Sequence, residues 1–519
     1  MNFKGWVQTK VKALLGVSDS GARSTSSGTS RTLYIESFDG EKNYGEIGPL
    51  TDYQLDFAAL RYRSWKSYID SEIAQTVIQR FTTWVIGSGL KLQSLPNFEV
   101  LKQEGIDVDS SSRYFKAIDQ RFKVWANSKM SDYKNEDTFN QTCRTAFINS
   151  IIGGDVLVIL RVKNGDLNVQ LIDAQNVQSP LYTSHLDLKP GHKIDNGIET
   201  DKKGRVVAYH VKTDGDYFSS ERIKAYNNGF RVAYLYKGLR YRMRDRRGVP
   251  LIVAVMETIS KIERYKEATV GSAEEIAKIA YQIVHQQYST GENPMTSRFA
   301  KAIDADNDGD NFPVDQAGRQ LADKVAATTN KMAFNNPIGA EIKAMQGGGK
   351  ELYFKDFYTV NWQIICATLQ IPPEIAMSLY NSNFSASRAA LKDWEHTINV
   401  SRNIFDEQFL SPIHELWCYL ELLKGKIELP GFLEAVQNRN EYAKQANLSH
   451  RFIGSNVPHI DPLKEVKAER EKLGELGKEL PLTTLEQATE SLNGGDSENN
   501  MQQYQKELES FTASGQEND

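Results

Sequence analysis

Two helical stretches on either side of a long break constrain this fold more than any other feature. Pro250 to about Val284 is the longest helical candidate in the 519-residue chain. Pro250 suits the first helical position, where its missing N–H has no partner to lose. Ile252, Val255, Ile259 and Ile262 form one apolar face. Glu257 with Lys261, and Glu274 with Lys278, are favourable i,i+4 pairs. The second half is rich in small residues: Ala268, Thr269, Gly271, Ser272, Ala273, Ala277 and Ala280. A continuous helix here spans about 50 Å at ~1.5 Å per residue, with Gly271 the place for a bend. Two packings suit it: a long core helix with a soft spot, or a helix set closely against copies of itself. His285–Lys350 then breaks the pattern. It is rich in Asn, Asp and Gly, has a short alternating segment near Ile338–Met345, and ends in Gly347-Gly348-Gly349. Leu352–Leu369 returns to helix, and Ile371-Pro372-Pro373 stops it.

The rest of the chain is mixed. Met1–Val17 is basic and amphipathic without a continuous apolar core, so it does not read as a secretory signal. Ser18–Thr32 is a Ser/Gly/Thr linker, and residues 1–45 read as a flexible arm. Leu50–Val85 and Phe115–Ile152 carry helical spacing, stopped at Ile86–Gly89 and Gly153-Gly154. Val156–Leu160, Val169–Ile172, Val206–Val211 and Val232–Leu235 are strand candidates, with turn chemistry at Lys163-Asn164-Gly165-Asp166. Ala386 to about Leu423 is a second long helix, expected to kink at Pro412. Ser491–Asp519 reads as a mobile tail.

Charge weighs against one class of function. The chain has 62 basic and 67 acidic residues, net −5. The tail Ser491–Asp519, with six acids and one Lys, accounts for all of it. A protein that grips DNA tightly neutralises phosphates with a basic face. The charge balance therefore argues against tight sequence-specific binding and leaves transient contact open. Cys143, Cys366 and Cys418 are far apart and odd in number, which predicts buried free thiols. No run approaches the ~18 apolar residues of a membrane span.

Motifs of catalysis are missing or incomplete. Asp304-Ala-Asp306-Asn-Asp308-Gly309 matches the start of a calcium loop, with Asp315 at the twelfth position. Asn311, Pro313 and the Asp in place of Glu depart from the pattern, so the alternative is an acidic surface loop. Gly347-Gly348-Gly349-Lys350 lacks the earlier Gly and the following Ser or Thr of a phosphate loop. HExxH and GxSxG do not occur, and the eight histidines are scattered. Lys237–Arg247 (KGLRYRMRDRR) has six basic residues and one acid. It suits phosphate contact, salt bridges to a neighbouring subunit, or a solvated strand and loop.

Ser378–Trp394 (SLYNSNFSASRAALKDW) is an uncharged loop of Asn and Ser running straight into a helix. Ser385 or Ser387 is the expected N-cap, and Ala389, Ala390 and Leu391 are good helix formers. A loop this neutral makes a poor catalytic site but suits a surface past which something charged slides. The stretch resembles the signature loop of portal proteins from lambda-like tailed bacteriophages. Other blocks carry the likeness in order: Ala59–Ser64 with Val85–Gly89, Gly154–Val158 with Leu171–Ala174, Asn196–Asp201 with Gly204-Arg205 and Ala208–His210, Arg247–Leu251, Leu369–Glu374 and Ile460–Glu465. Where the family has Gly-Glu, this chain has Gly154-Asp155.

The resemblance implies an α+β portal fold: a mixed α/β wing, a long helical stem, a small α/β clip, a tunnel loop and a helical crown. By order, 46–249 maps to the wing, 250–284 to the first stem helix and 285–350 to the clip. Residues 351–372 map to the second stem helix, 373–386 to the tunnel loop, 387–425 to a long wing helix and 426–490 to the crown. It implies a homo-oligomeric ring, usually dodecameric, at one capsid vertex, and double-stranded DNA held without sequence preference. Further partners it implies are the terminase large subunit, the head–tail connector, and the major capsid and scaffold proteins. No enzyme activity, cofactor or membrane is implied. Asn381, Ser382, Asn383, Phe384 and Ser385 are then the channel residues, with Phe384 wedging against DNA or packing under the loop. Arg388 and Lys392 meet phosphates or a neighbouring subunit, with Lys350 and Lys355 as further candidates for the channel wall. A head–tail adaptor or minor capsid protein is the alternative, although adaptors are usually shorter.

Overall fold

The computed structural model describes residues 35–36, 42–43, 56–109, 113–180, 188–212, 220–241, 243, 245–283, 323–328, 331–335, 354–379, 384–455, 462–474, 480–493, 495 and 497–515. Two compact units emerge: one of Met1–Glu257 with Cys366–Asp519, the other of Thr258–Ile365.

In the first unit, β1 (Ile35–Glu36) pairs antiparallel with β2 (Lys42–Asn43). Helices begin where the sequence supplies a cap. Asp56 accepts from Ala59 N at 2.9 Å and opens α1 (Phe57–Asp70). Ser71 closes α1 and caps α2 (Glu72–Val85), so the expected helix over Leu50–Val85 is two. β3 (Lys91–Ser94), α3 (Phe98–Gln103) and α4 (Tyr114–Asn127) follow. A capping box of Thr138 and Gln141 starts α5 (Phe139–Gly153), which divides the helical region expected over Phe115–Ile152.

β4 (Asp155–Lys163) and β5 (Asp166–Asp173) form a hairpin through Asn164 and Gly165, at φ 54° and 86°. Positive φ at both positions is what a two-residue hairpin turn needs. β6 (Lys193–Asp195), β7 (Ile198–Thr200), β8 (Val206–Lys212) and β9 (Ser220–Lys224) form an antiparallel four-stranded sheet. β10 (Tyr226–Asn227) and β11 (Phe230–Arg231) make a short ribbon. β12 (Ala233–Lys237) then pairs with the free edge of β4. Leu157, Ile159 and Leu235 of one sheet share a core with Ile198, Tyr209 and Ile223 of the other. β4 is buried along its first six residues, which explains its unbroken apolar run.

Pro250 opens a 3₁₀ turn (Leu251–Ala254) rather than the long helix. Val255 at φ −120° interrupts it, and α6 runs over Met256–Lys278. β13 (Ile279–Ile283) then replaces the last turn of the expected helix. It lies parallel to β15 (Lys331–Asn335), which pairs antiparallel with β14 (Asp323–Thr328). The run Ile279-Ala-Tyr-Gln-Ile283 places apolar residues at alternate positions, a strand pattern that competes with helix. α7 (Phe354–Thr368) closes this part of the chain. Within the second unit Tyr265 of α6 stacks on Phe354 at 5.7 Å and meets Phe357 at 4.6 Å between ring centroids.

α8 (Pro373–Met377) lies inside the segment expected to be all loop, and α9 (Phe384–Phe405) starts at Phe384, ahead of the expected caps Ser385 and Ser387. The expected kink at Pro412 takes the form of a π-helical turn, Asp406–Leu410, before α10 (Ser411–Leu423). Proline cannot donate to the carbonyl four residues back, so the ladder changes register there. Tyr234 Oη donates to the Phe409 carbonyl in this turn at 2.7 Å. α11 (Phe432–Asn438), α12 (Glu441–Asn447), β16 (His450–Ile453), α13 (Pro462–Leu473), α14 (Leu485–Asn493) and α15 (Ser497–Gly515) complete the chain. β16 pairs antiparallel with β3, joining the two ends of the first unit. The mobile tail expected over Ser491–Asp519 is helical over Ser497–Gly515; charged and amide side chains such as Gln503 and Glu507 (2.9 Å) pair one turn apart along it.

Cys143, Cys366 and Cys418 are buried and free, as the sequence predicts. Replacing Tyr234 by Phe should cost about 1–2 kcal/mol in denaturant unfolding, because it strands the buried Phe409 carbonyl. An unchanged midpoint would show that the π turn does not need this donor.

Candidate channel segment

The residues that flank the candidate loop both rest on α2. On its near side, α8 ends at Ser378 in the left-handed conformation (φ 56°), and Leu379 N returns to Glu374 O at 3.0 Å. Arg80 Nη2 of α2 donates to Ser378 Oγ at 2.6 Å. On its far side, Trp394 of α9 is fully buried and packs 5.8 Å from Phe81, the next residue of α2. Further along α9, Arg402 donates to the Trp84 and Val85 carbonyls at 2.9 Å each and to Ser455 O at 2.8 Å. It thereby caps the C-terminus of α2. Burial pushes the Arg402 guanidinium down to about 10.

Asn381, Ser382 and Asn383 lie outside the described residues, as do Lys350 and the acidic loop of Asp304, Asp306 and Asp308. Phe384 and Ser385 start α9, and their side chains are outside the described set. Arg388 and Lys392 follow on α9, both largely exposed. Arg388 reaches Glu465 of α13 at 3.7 Å, and Lys392 pairs with Glu395 at 2.7 Å. Lys355 is exposed in the first turn of α7, in the other unit. Among the described residues no group of His, Cys, Asp and Glu could hold a metal, and no helix is long and apolar enough to cross a membrane.

Sequence reasoning assigned no role to the polar centre of the first unit. Arg247 is 2% exposed. Its Nε donates to Asp155 Oδ2 at 2.7 Å and its Nη2 to Asp155 Oδ1 at 2.8 Å. Its remaining protons go to the carbonyls of Ala174 (2.7 Å), Val177 (2.8 Å) and Asn196 (2.9 Å). Gly248 N also donates to Asp155, at 2.8 Å, and Arg61 approaches it at 3.7 Å. Arg61 Nε and Ser64 Oγ bind the last carbonyls of α5, Gly153 O at 2.7 Å and Ile152 O at 2.6 Å. The signal was present: an acid at the head of an apolar strand demands a cation, and Arg247 opens the next apolar run.

Glu199 of β7 is a second such centre. It accepts from Arg222 Nε at 2.6 Å and Nη2 at 3.0 Å, and faces His192 Nδ1 at 2.7 Å and His210 Nε2 at 3.3 Å. Burial alone would raise its pKa. The bonds from Arg222, His192 and His210 outweigh burial and hold the carboxyl at about 2. Burial pushes the His210 imidazole down.

These supports coincide with the ordered blocks noted in the sequence, and the comparison with known families agrees. The sequence profile of the phage portal protein, lambda family, matches residues 43–402. The chain belongs to the lambda family of phage portal proteins. Its α+β architecture is that of the family. No curated protein matches it. Among solved structures it is similar to a chain from the neck of an empty gene transfer agent particle computed with C6 symmetry. That pair shares 9% identity over 85% of this chain and 94% of the other, with a TM-score of 0.40. A chain from the virion of a native gene transfer agent particle shares 9% identity over 85% and 93%, at TM-score 0.37. One from the neck of a native particle computed with C12 symmetry shares 10% over 81% and 99%, at 0.32.

Two outcomes follow from the polar centres. A Cβ on Gly248 would fall 1.9 Å from the Gly154 carbonyl oxygen. Gly248→Ala should therefore cost about 3 kcal/mol, read as a lowered thermal midpoint. Glu199 has a folded pKa below its ordinary 4.5, so it stabilises above that pH and loses its contribution as pH falls towards about 2. The loss is roughly 3 kcal/mol. Glu199→Gln should remove that part of the acid limb and lower stability at pH 7; an unchanged acid limb would refute the assignment.

Proposed function

We propose that copies of this chain close into a dodecameric ring at one capsid vertex, through which double-stranded DNA is packaged and later ejected. The observation that carries this reading is the family match over residues 43–402, which includes both polar centres and the candidate loop. On this reading 46–249 and 387–425 form the wing, 250–284 and 351–372 the stem, 285–350 the clip, 373–386 the tunnel loop and 426–490 the crown. The clip receives the terminase large subunit during packaging and the head–tail connector afterwards. The wing and crown face the major capsid and scaffold proteins.

Several features support it. In the second unit α6 and α7 stack through Tyr265, yet Val270, Val360 and Ile364 stay about half exposed. Apolar positions of this kind suit a neighbouring copy in a head-to-tail contact that closes by rotation. In the first unit the residues on either side of the loop, Ser378 and Trp394, both rest on α2.

The action of this chain is physical and contains no catalytic step. DNA must pass in both directions, so strong phosphate contacts would act as brakes. Asn381, Ser382, Asn383 and Ser385 carry no charge and exchange hydrogen bonds between phosphate and water, each worth only ~1 kcal/mol net. On this reading Phe384 serves packing rather than a wedge against DNA. Arg388 and Lys392 have carboxylate partners in their own chain, which offsets their charge just behind the rim.

Substituting Asp at 381, 383 and 385 together tests this. The triple variant should assemble into rings with a visible central hole, at a mass near twelve times 58.6 kDa, but package or retain DNA poorly. Normal packaging and infectivity in that variant would remove the loop from the channel.

A further inference from the structure

The basic stretch Lys237–Arg247 has no part in the channel reading. Arg247 is consumed by Asp155, but Lys237, Arg240 and Arg246 are not. We propose that Lys237, Arg240 and Arg246 form a binding site for a phosphate group on the first unit.

The backbone gathers them. Lys237 ends β12 opposite Asp155 of β4. Gly238 N bonds to Gly154 O at 2.8 Å, and Leu239 bridges to Val249. The chain thus leaves the sheet after Lys237 and returns to it within one short excursion. Lys237 and Arg240 stand on the outgoing limb, Arg246 on the return. Arg246 is fixed by a bond from Nη1 to Gly204 O at 3.0 Å. Arg231, on the preceding strand, lies 4.9 Å over the Tyr234 ring.

The stretch carries a single acid, Asp245, which already has an interaction of its own. Among the described residues Lys237 makes no hydrogen bond or ion pair, and neither does Arg240. Asp155 stands opposite Lys237 across the sheet, but its two oxygens are already bonded to Arg247 and Gly248. Burial first, then the charges of Arg240, Arg231 and Arg246, hold the Lys237 ammonium down at about 8 despite Asp155. A half-buried lysine among guanidinium groups is unfavourable for the fold and favourable for an incoming anion.

Donor geometry selects phosphate over carboxylate. Phosphate oxygens are tetrahedral and accept from several directions at once, and the arginine fork matches two of them. A carboxylate from another chain accepts in one plane and leaves part of the cluster unanswered. The phosphate can come from a DNA backbone or from a dissolved phosphate compound.

The test uses the full-length protein with Lys237→Gln and Arg240→Gln, of which the second is exposed and disturbs no contact. Inorganic phosphate is titrated against chloride at fixed ionic strength while the thermal midpoint is followed. A short duplex is titrated in parallel by fluorescence anisotropy over a range of salt. In the wild type phosphate should raise the midpoint saturably. In Lys237→Gln that rise should disappear, while the midpoint without phosphate stays equal or higher, because an ammonium held below its ordinary pKa weakens the fold at neutral pH. Should the duplex be the source, each variant weakens duplex binding about tenfold and lowers the salt slope by about one. Either pattern supports the site, and the response to free phosphate stands even if the channel reading fails. Equal responses of wild type and variants to both probes would overturn it. So would loss of the oligomer in Lys237→Gln with both binding curves unchanged, which assigns the cluster to a carboxylate of a neighbouring copy.

Discussion

The pair Asp155–Arg247 is the contact on which the first unit depends. A guanidinium has five N–H protons, and here all five are answered: two by Asp155 and one each by the carbonyls of Ala174, Val177 and Asn196. A buried ion pair is favourable only when its remaining donors are satisfied. This one meets that condition by drawing in backbone from four separate stretches. The head of β4, the end of β5, the turn before β7 and the start of the 3₁₀ turn at Leu251 are therefore held at one point. Arg61 extends the same centre to α1 and the end of α5. The close approach of Gly154 to Gly248 follows, because the pair pulls their backbones together until neither position has room for a side chain. A departure in sequence also becomes intelligible. With Asp rather than Glu at 155, the short side chain chelates Arg247 and Gly248 from the first residue of the strand.

What was legible in the sequence was whatever local chemistry decides. The β4–β5 hairpin needed only Asn164-Gly165, and the end of α5 needed only Gly153-Gly154. Those turns depend on positive φ, which few residues supply. The burial of three isolated cysteines also followed from their neighbours. What was not legible depends on partners distant in the chain. Helical spacing runs through Ser71 without a break, and only a side chain turning back to its own helix start shows that one helix is two. The π turn needs Tyr234, 175 residues from Phe409, to satisfy the carbonyl it exposes. Arg402 looks like an ordinary helical surface arginine until its three carbonyl partners are seen. That the flanks of the candidate loop rest on α2 was not legible either, since Arg80 and Phe81 carry no mark of that task.

The residues that flank the candidate loop are both tied to α2. Asn381, Ser382 and Asn383 offer no apolar side chain as an anchor. The anchors are displaced to Ser378 and Trp394, on either side, and both rest on adjacent residues of α2. Arg402 then fixes the end of α2 to α9.

The distribution of charge completes the account. A net charge of −5 says little about where phosphate can stay. What matters is whether each cation already has a partner. Arg388 and Lys392, nearest the loop, are paired with Glu465 and Glu395. Lys424 is shared between Asp166 and Glu421. Lys237 and Arg240, on the excursion from β12, have no such partner among the described residues. A polyanion moves freely over cations that are already neutralised and pauses where they are not, since only the latter release counterions and gain from desolvated contact. Net charge alone therefore does not tell cations that are already neutralised from cations that are not.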